Sequence, residues 1–117
     1  MAKNKAELES ALRRMLSRLH QEIFGKGPEG VWVKITQNVG TFYVSKTLTN
    51  MELFLLSVPG GEDEVLRLRG VIMKNIKPRL YSEIEHLGDV KVISIATELS
   101  IISNAFFGAI LFDRSFD

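Results

Sequence analysis

The spacing of apolar residues in this chain changes three times, and that succession of periods restricts the fold more than any other feature. From Ala6 to Phe24, the residues Leu8, Ala11, Leu12, Met15, Leu16, Leu19 and Ile23 recur every three or four positions, which places them on one face of a helix. Asn4 followed by Glu7 has the spacing of a capping box, with Asn in place of the usual Ser or Thr. The run Phe24-Gly25-Lys26-Gly27-Pro28 ends this helix, because Gly25 accepts a left-handed C′ conformation and Pro28 cannot continue the turn.

The period then drops to two. Val31, Val33 and Ile35 alternate with Trp32, Lys34 and Thr36, and Thr41 to Lys46 alternates Phe42 and Val44 with Tyr43 and Ser45. Gln37-Asn38-Val39-Gly40 lies between them, and Asn38 and Gly40 tolerate positive φ, so the segment reads as a hairpin. Its second face carries Trp32, with Tyr43 a further candidate. That is more aromatic surface than a solvated face needs and points to a partner.

Helical spacing returns after the hairpin. Thr49 and Glu52 form a capping box, Leu48 is positioned to staple onto Leu53, and a short helix from Asn50 to about Val58 is expected before Pro59-Gly60-Gly61. Glu62, Asp63 and Glu64 then supply the negative charge that a helix N-terminus favours. Val65, Leu68, Ile72, Ile76, Leu80, Ile84 and Leu87 keep a helical period to Gly88. Pro78 falls inside it and removes the hydrogen bond to the Lys74 carbonyl, which predicts a kink or a break. The last part is strand-like: Val90 to Thr97 is rich in β-branched residues, and Asn104 to Asp113 is apolar on both pleat faces, with a loop expected over 99–103. A strand of the second kind is buried on both sides, either at the centre of a sheet or at an oligomer interface.

The order α-β-β-α-α-β-β predicts an α+β two-layer sandwich, a four-stranded antiparallel sheet with the helices on one face. With 117 residues, 45% hydrophobic and 25% charged, and no linker or repeat, residues 1–117 read as a single domain. Fifteen basic against fourteen acidic residues leave a charge of +1, which does not mark a nucleic-acid binder. The absence of cysteine excludes a disulfide scaffold, a zinc ribbon, an iron–sulfur centre and a thiol nucleophile. The charged start and the lack of a long apolar segment lead us to expect a cytoplasmic protein with no transmembrane helix.

Several of these elements carry a resemblance. Leu19 to Phe24 with Gly25-Lys26-Gly27-Pro28, the hairpin, Leu48-Thr49 with Glu52, and the Phe-rich strand ending at Asp113 resemble the MpsC-like domain family over residues 6–113. The family takes its name from a proposed sodium-translocating, membrane-potential-generating system. The resemblance implies a bacterial, intracellular accessory protein, and it supplies no catalytic residues to carry over. This chain departs from the family's usual look at Pro78, within what resembles one long helix. With no segment that spans a bilayer as a helix, a role in ion translocation would run through a membrane partner.

The candidate chemistry is sparse. Gly25-Lys26-Gly27-Pro28-Glu29-Gly30 has the glycines and the lysine of an anion cradle, yet it leaves a helix C-terminus, where the dipole repels anions, so a structural turn is the stronger reading. Glu83-x-x-His86 has the spacing of a di-iron ligand pair without the second motif that such a site requires, and a surface histidine is the better reading. No metal and no cofactor is expected. His20 lies beside the apolar stripe of the first helix and could act as a base, but no Ser or Thr sits in a nucleophile setting; a satisfied boundary histidine is the better reading. Arg67, Lys74 and Lys77 fall on one side of the third helix, with Arg69 and Arg79 nearby, a stripe that could meet acidic lipid, RNA or protein and otherwise is a solvated face.

Three functions follow as expectations. The first is a non-catalytic interaction module acting as a homodimer, with Trp32 and Phe107 at the interface. A small-ligand or anion-binding regulatory domain using Lys26, Arg67, Lys74 and Lys77 is the second. A small hydrolase using His20 or His86 is the weakest.

Overall fold

A computed structural model describes residues 3–117. It contains α1 (Lys5–Phe24), β1 (Gly30–Thr36), β2 (Val39–Ser45), α2 (Asn50–Leu55), α3 (Gly61–Gly88), β3 (Val92–Ser100) and β4 (Ala105–Phe112). All pairings are antiparallel and the strand order is β1-β2-β4-β3. This is the expected α+β order, with α1 and α3 against the sheet and α2 packed on α3.

Local chemistry explains the boundaries. Asn4 caps α1 through its side chain to the Glu7 amide, Glu7 returns the bond, and Gly25 closes the helix at φ +74°. Thr49 and Glu52 make the same reciprocal box at α2. That helix stops at Leu55 rather than Val58, since Ser57 and Val58 donate to carbonyls three residues back and tighten the chain into turns. Gly61 then packs against the end of α2 so closely that a Cβ there would stand 1.5 Å from the Leu55 carbonyl oxygen.

Three expectations about local geometry need correction. The hairpin turn is Gln37-Asn38 alone, because Thr36 already pairs with Val39; the positive φ falls on Gln37, whose amide donates to Asp117 Oδ2 at 2.6 Å. Strand β3 runs to Ser100, which pairs with Ala105, so the loop shrinks to a tight turn ending at Asn104 in the left-handed region. Of the kink or break expected at Pro78, the break is absent, since α3 runs unbroken from Gly61 to Gly88. Pro78 is exposed, and on the solvent side of a helix water can take over the orphaned Lys74 carbonyl.

The core lies between the sheet and the helices. Leu8, Leu12, Met15, Leu16 and Leu19 of α1 meet Val33, Ile35, Phe42, Val44, Ile110 and Phe112 from the sheet, and α3 adds Leu80 and Ile84. Strand β4 occupies an inner position, as a strand apolar on both faces requires. A register shift between Val92 and Ser94 keeps Val92 and Ile95 both on the core side and turns Ile93 outward. At 28 residues, α3 is roughly 42 Å long at 1.5 Å per residue. It accounts for most of the 50 Å long axis of the molecule, against 23 and 22 Å for the other two.

Candidate functional site

Alternation places one set of sheet residues away from the helices. Across the strands, Trp32 pairs with Tyr43, Tyr43 with Phe107, and Phe107 with Glu98, so three aromatic side chains and one carboxylate form a row on the open face. The Trp32 and Tyr43 rings meet edge to face at 5.7 Å. Gly30 leaves the floor on which the indole lies, since a Cβ there would be 2.9 Å from the ring. Trp32 is 59% exposed, and Tyr43 and Phe107 are also exposed. The neighbouring row runs Lys34, Thr41, Ala109 and Ala96. Charge on this face is thus confined to its two edge strands, Lys34 on β1 and Glu98 on β3, with an uncharged aromatic centre between them.

Under the helices lies a second arrangement. Arg69 of α3 is buried, and its Nε and Nη2 donate to the two carboxylate oxygens of Glu52 at 2.6 and 2.7 Å. The same guanidinium donates to the Thr47 hydroxyl at 3.0 Å and to the Thr47 carbonyl at 2.7 Å, and it stacks on the Phe24 ring at 3.9 Å. His20 completes the group. Its Nδ1 lies 2.8 Å from the Lys26 carbonyl and its Nε2 2.8 Å from Thr47 Oγ1. A carbonyl can only accept, so Nδ1 carries the proton of the neutral ring and Nε2 accepts from the Thr47 hydroxyl. One chain of bonds therefore joins α1, the segment after β2, α2 and α3.

Electrostatics follow from this geometry. Burial pushes Glu52 toward neutrality, but the Arg69 bonds and the Thr49 cap outweigh it and hold the carboxyl below its ordinary 4.5. Burial also lowers His20 below 6.5 and is opposed by its bond to the Lys26 carbonyl, while the positive charge of Arg69 adds to the lowering. Both groups thus hold their pH 7 forms, a buried ion pair beside a neutral imidazole.

Next to this polar group, the sheet, α1 and α3 enclose a cavity of about 260 Å³. Its walls are chiefly apolar: Leu19 and Ile23 from α1, Met73 and Ile76 from α3, and Phe106 and Ile110 from the sheet. His20, Thr47 and Arg69 line one part, and the exposed Leu66 and Gly70 of α3 mark where it opens to solvent.

The basic residues singled out in the sequence do not converge here. Lys26 donates its ammonium to the Leu48 carbonyl at 3.1 Å and so fastens the segment before α2. Arg67 pairs with Glu64 on the surface, Lys74 and Lys77 are exposed, and none of the four lines the cavity. Arg69, read as a neighbour of that stripe, is buried instead. Glu83 is committed to Arg18 at 2.6 Å and Arg79 at 3.0 Å rather than to His86, and the described residues contain no group of three His, Asp or Glu able to hold a metal. His86 is exposed in a separate shallow hollow with Glu85, Asp113 and Arg114.

What sequence reasoning missed is the partnership of Arg69, Glu52 and Thr47. A signal was present, since Arg69 falls four residues after Val65 and three before Ile72, on the apolar stripe itself. A cation at such a position needs a buried anion, and Glu52 had been read only as a cap.

Comparison with known proteins places these features in a family. No solved structure is significantly similar to the chain. YrhF, an uncharacterized protein of Bacillus subtilis (strain 168), is 25% identical over 104 residues, covering 88% of this chain and 85% of YrhF. No described helix is long and apolar enough to cross a membrane. The family model described as "Na+-translocating membrane potential-generating system (MpsC)" matches residues 4–114, the whole of the α-β-β-α-α-β-β unit, and the chain belongs to that MpsC family.

Proposed function

We propose that this MpsC-family chain is a non-catalytic interaction module of the bacterial cytosol that acts as a homodimer through the open face of its sheet. In that form it serves as an accessory to a membrane ion-translocating system by docking to a membrane-protein partner. The observation that carries the reading is the charge pattern of the open face, an aromatic row flanked by Lys34 on one edge strand and Glu98 on the other. A two-fold axis parallel to the strands lays β1 of one copy over β3 of the other, which brings each Lys34 to the partner's Glu98 side and stacks uncharged centre on uncharged centre. Lys34 and Glu98 lie one row apart, roughly 7 Å along the strands, a span that a lysine stem covers.

Magnitude sets the expected strength. Four strands of about seven residues present roughly 450 Å² in projection, about half of the ~800 Å² per partner of a standard interface. The dimer is therefore concentration-dependent rather than obligate. A non-catalytic role is supported by His20, whose ring nitrogens are both occupied by Lys26 and Thr47.

Sedimentation velocity over a range of protein concentrations tests the dimer. Lys34→Glu or Glu98→Lys alone should weaken self-association, and the double exchange should restore it. A monomer at every concentration, or a double exchange no better than either single change, overturns the reading.

A further inference from the structure

We propose that the cavity between α3 and the sheet is a binding site for an aliphatic chain of about ten carbons carrying a polar head group. The inference is independent of the sheet-face dimer, because the two surfaces lie on opposite sides of the sheet.

The cavity exists because α3 is held at two places and spans the gap between them. At one, Arg69 is bound to Glu52 and Thr47; at the other, Leu80 and Ile84 are buried and the Tyr81 hydroxyl accepts from the Ile95 amide at 3.1 Å. These pins are 11 residues apart, roughly 16 Å of helix. A helix turn is stiff, so Met73 and Ile76, both only partly buried, bridge a space that cannot close without drawing Arg69 away from its carboxylate.

Wall chemistry selects the ligand class. The polar residues at one end of the cavity satisfy each other, and no buried side-chain nitrogen or oxygen among the described residues lacks a partner. Apart from Thr97 and Glu98 of β3, the remaining walls are hydrocarbon. Nothing inside rewards a phosphate, a sugar or a nucleobase, whose polar atoms would lose water without replacement. An alkyl chain loses nothing. A cavity of about 150 Å³ accommodates benzene, so 260 Å³ suits a chain of about ten carbons.

The opening places the head group. Leu66 and Gly70 of α3 are exposed residues of the lining, and no atom lies within 4 Å of where a Cβ on Gly70 would be. A head group at that mouth remains hydrated. The chain enters tail first, toward Ile110 and Leu19.

Isothermal titration of the full chain with 1-decanol and 1,10-decanediol tests this. Saturable binding of one decanol per chain is expected, with the diol at least tenfold weaker because its inner hydroxyl is buried without a partner. Ile76→Trp fills the cavity and should abolish decanol binding with the circular dichroism unchanged; Met73→Phe serves if the Trp variant fails to fold. Absence of saturable decanol binding, equal affinity for the diol, or undiminished binding in the folded cavity-filling variant overturns the proposal. So does decanol binding only as the protein dissociates from a dimer, which would make the cleft a surface for a second copy.

Discussion

Arg69 and Glu52 lie 17 residues apart in the chain, and in the fold they form a two-bond ion pair with side chains only 7% and 2% exposed. No other ion pair among the described residues is buried to this degree; the remaining pairs are at the surface. The pair sets where α3 stands relative to α2, and through Thr47 and His20 it sets where α1 stands relative to both.

Removing one partner leaves the other charged and buried. Arg69→Met should cost about 3–5 kcal/mol, whereas Arg69→Met with Glu52→Leu should recover part of that loss, because replacing a buried ion pair with hydrocarbon is itself close to neutral. Recovery will stop about 2 kcal/mol short, because the cap that Glu52 shares with Thr49 is lost and the buried Thr47 carbonyl loses its Arg69 donor. Urea unfolding of the four members of this cycle measures each quantity. A loss below about 1 kcal/mol for Arg69→Met would match a surface pair and contradict the burial.

Acid should act in two stages. His20 has a folded-state pKa below its ordinary 6.5, so as pH falls the unfolded chain takes up that proton first. The stability it contributes is full above about pH 6.5 and is lost as pH drops from there through the folded value. Glu52, also lowered, keeps its contribution above its ordinary 4.5 and loses it as pH falls through the depressed folded value. Unfolding midpoints followed from pH 8 downward should therefore decline first through the imidazole range and again in the acid range. His20→Gln should flatten the first decline and leave the second; an unchanged first decline would assign it to another group.

How much of this was legible before any coordinates depends on the range of the interaction. The helices and strands announce themselves through period and caps, because Asn4 with Glu7 and Thr49 with Glu52 act over three residues. Trp32 was readable as surplus apolar surface, since alternation assigns its face, and Phe107 through the apolar character of both faces of its strand. Strand order was not, although the two-sided apolar character of β4 pointed to its inner position. The buried knot was hidden for a different reason. Its members come from four segments, and Lys26, Thr47, Glu52 and Arg69 each have an unremarkable local role until packing brings them together. The cavity is less visible still, since it arises from how far a stiff helix stands above a sheet.

Two glycines on α3 should respond in opposite directions to the same change. Gly61→Ala places a methyl 1.5 Å from the Leu55 carbonyl oxygen, so α2 and α3 must separate, and a loss of at least ~2 kcal/mol is expected from overpacking against backbone. At Gly70 the methyl meets open space inside a regular helix, and Gly70→Ala should gain roughly 0.5–1 kcal/mol from reduced backbone freedom of the unfolded chain. Thermal melts of both variants are sufficient. A stabilising Gly61→Ala would mean that the close approach of the two helices is absent in solution.

Trp32 distinguishes an interface from a core. It is exposed in the single chain and touches Tyr43 and Gly30 on the open face, so Trp32→Ser removes little that holds the monomer together. Its unfolding free energy should fall by no more than about 1 kcal/mol, the worth of an edge-to-face aromatic pair. Self-association should weaken by tenfold or more, since Trp32 is the largest exposed side chain of the face and large aromatics carry a disproportionate share of interface binding. Phe107→Ser, on the inner strand of the same row, should show the same separation. Sedimentation equilibrium set beside urea unfolding of each variant reads the two effects independently. Equal loss in both would place these rings in the stability of the single chain, and unchanged association would remove the open face from the dimer.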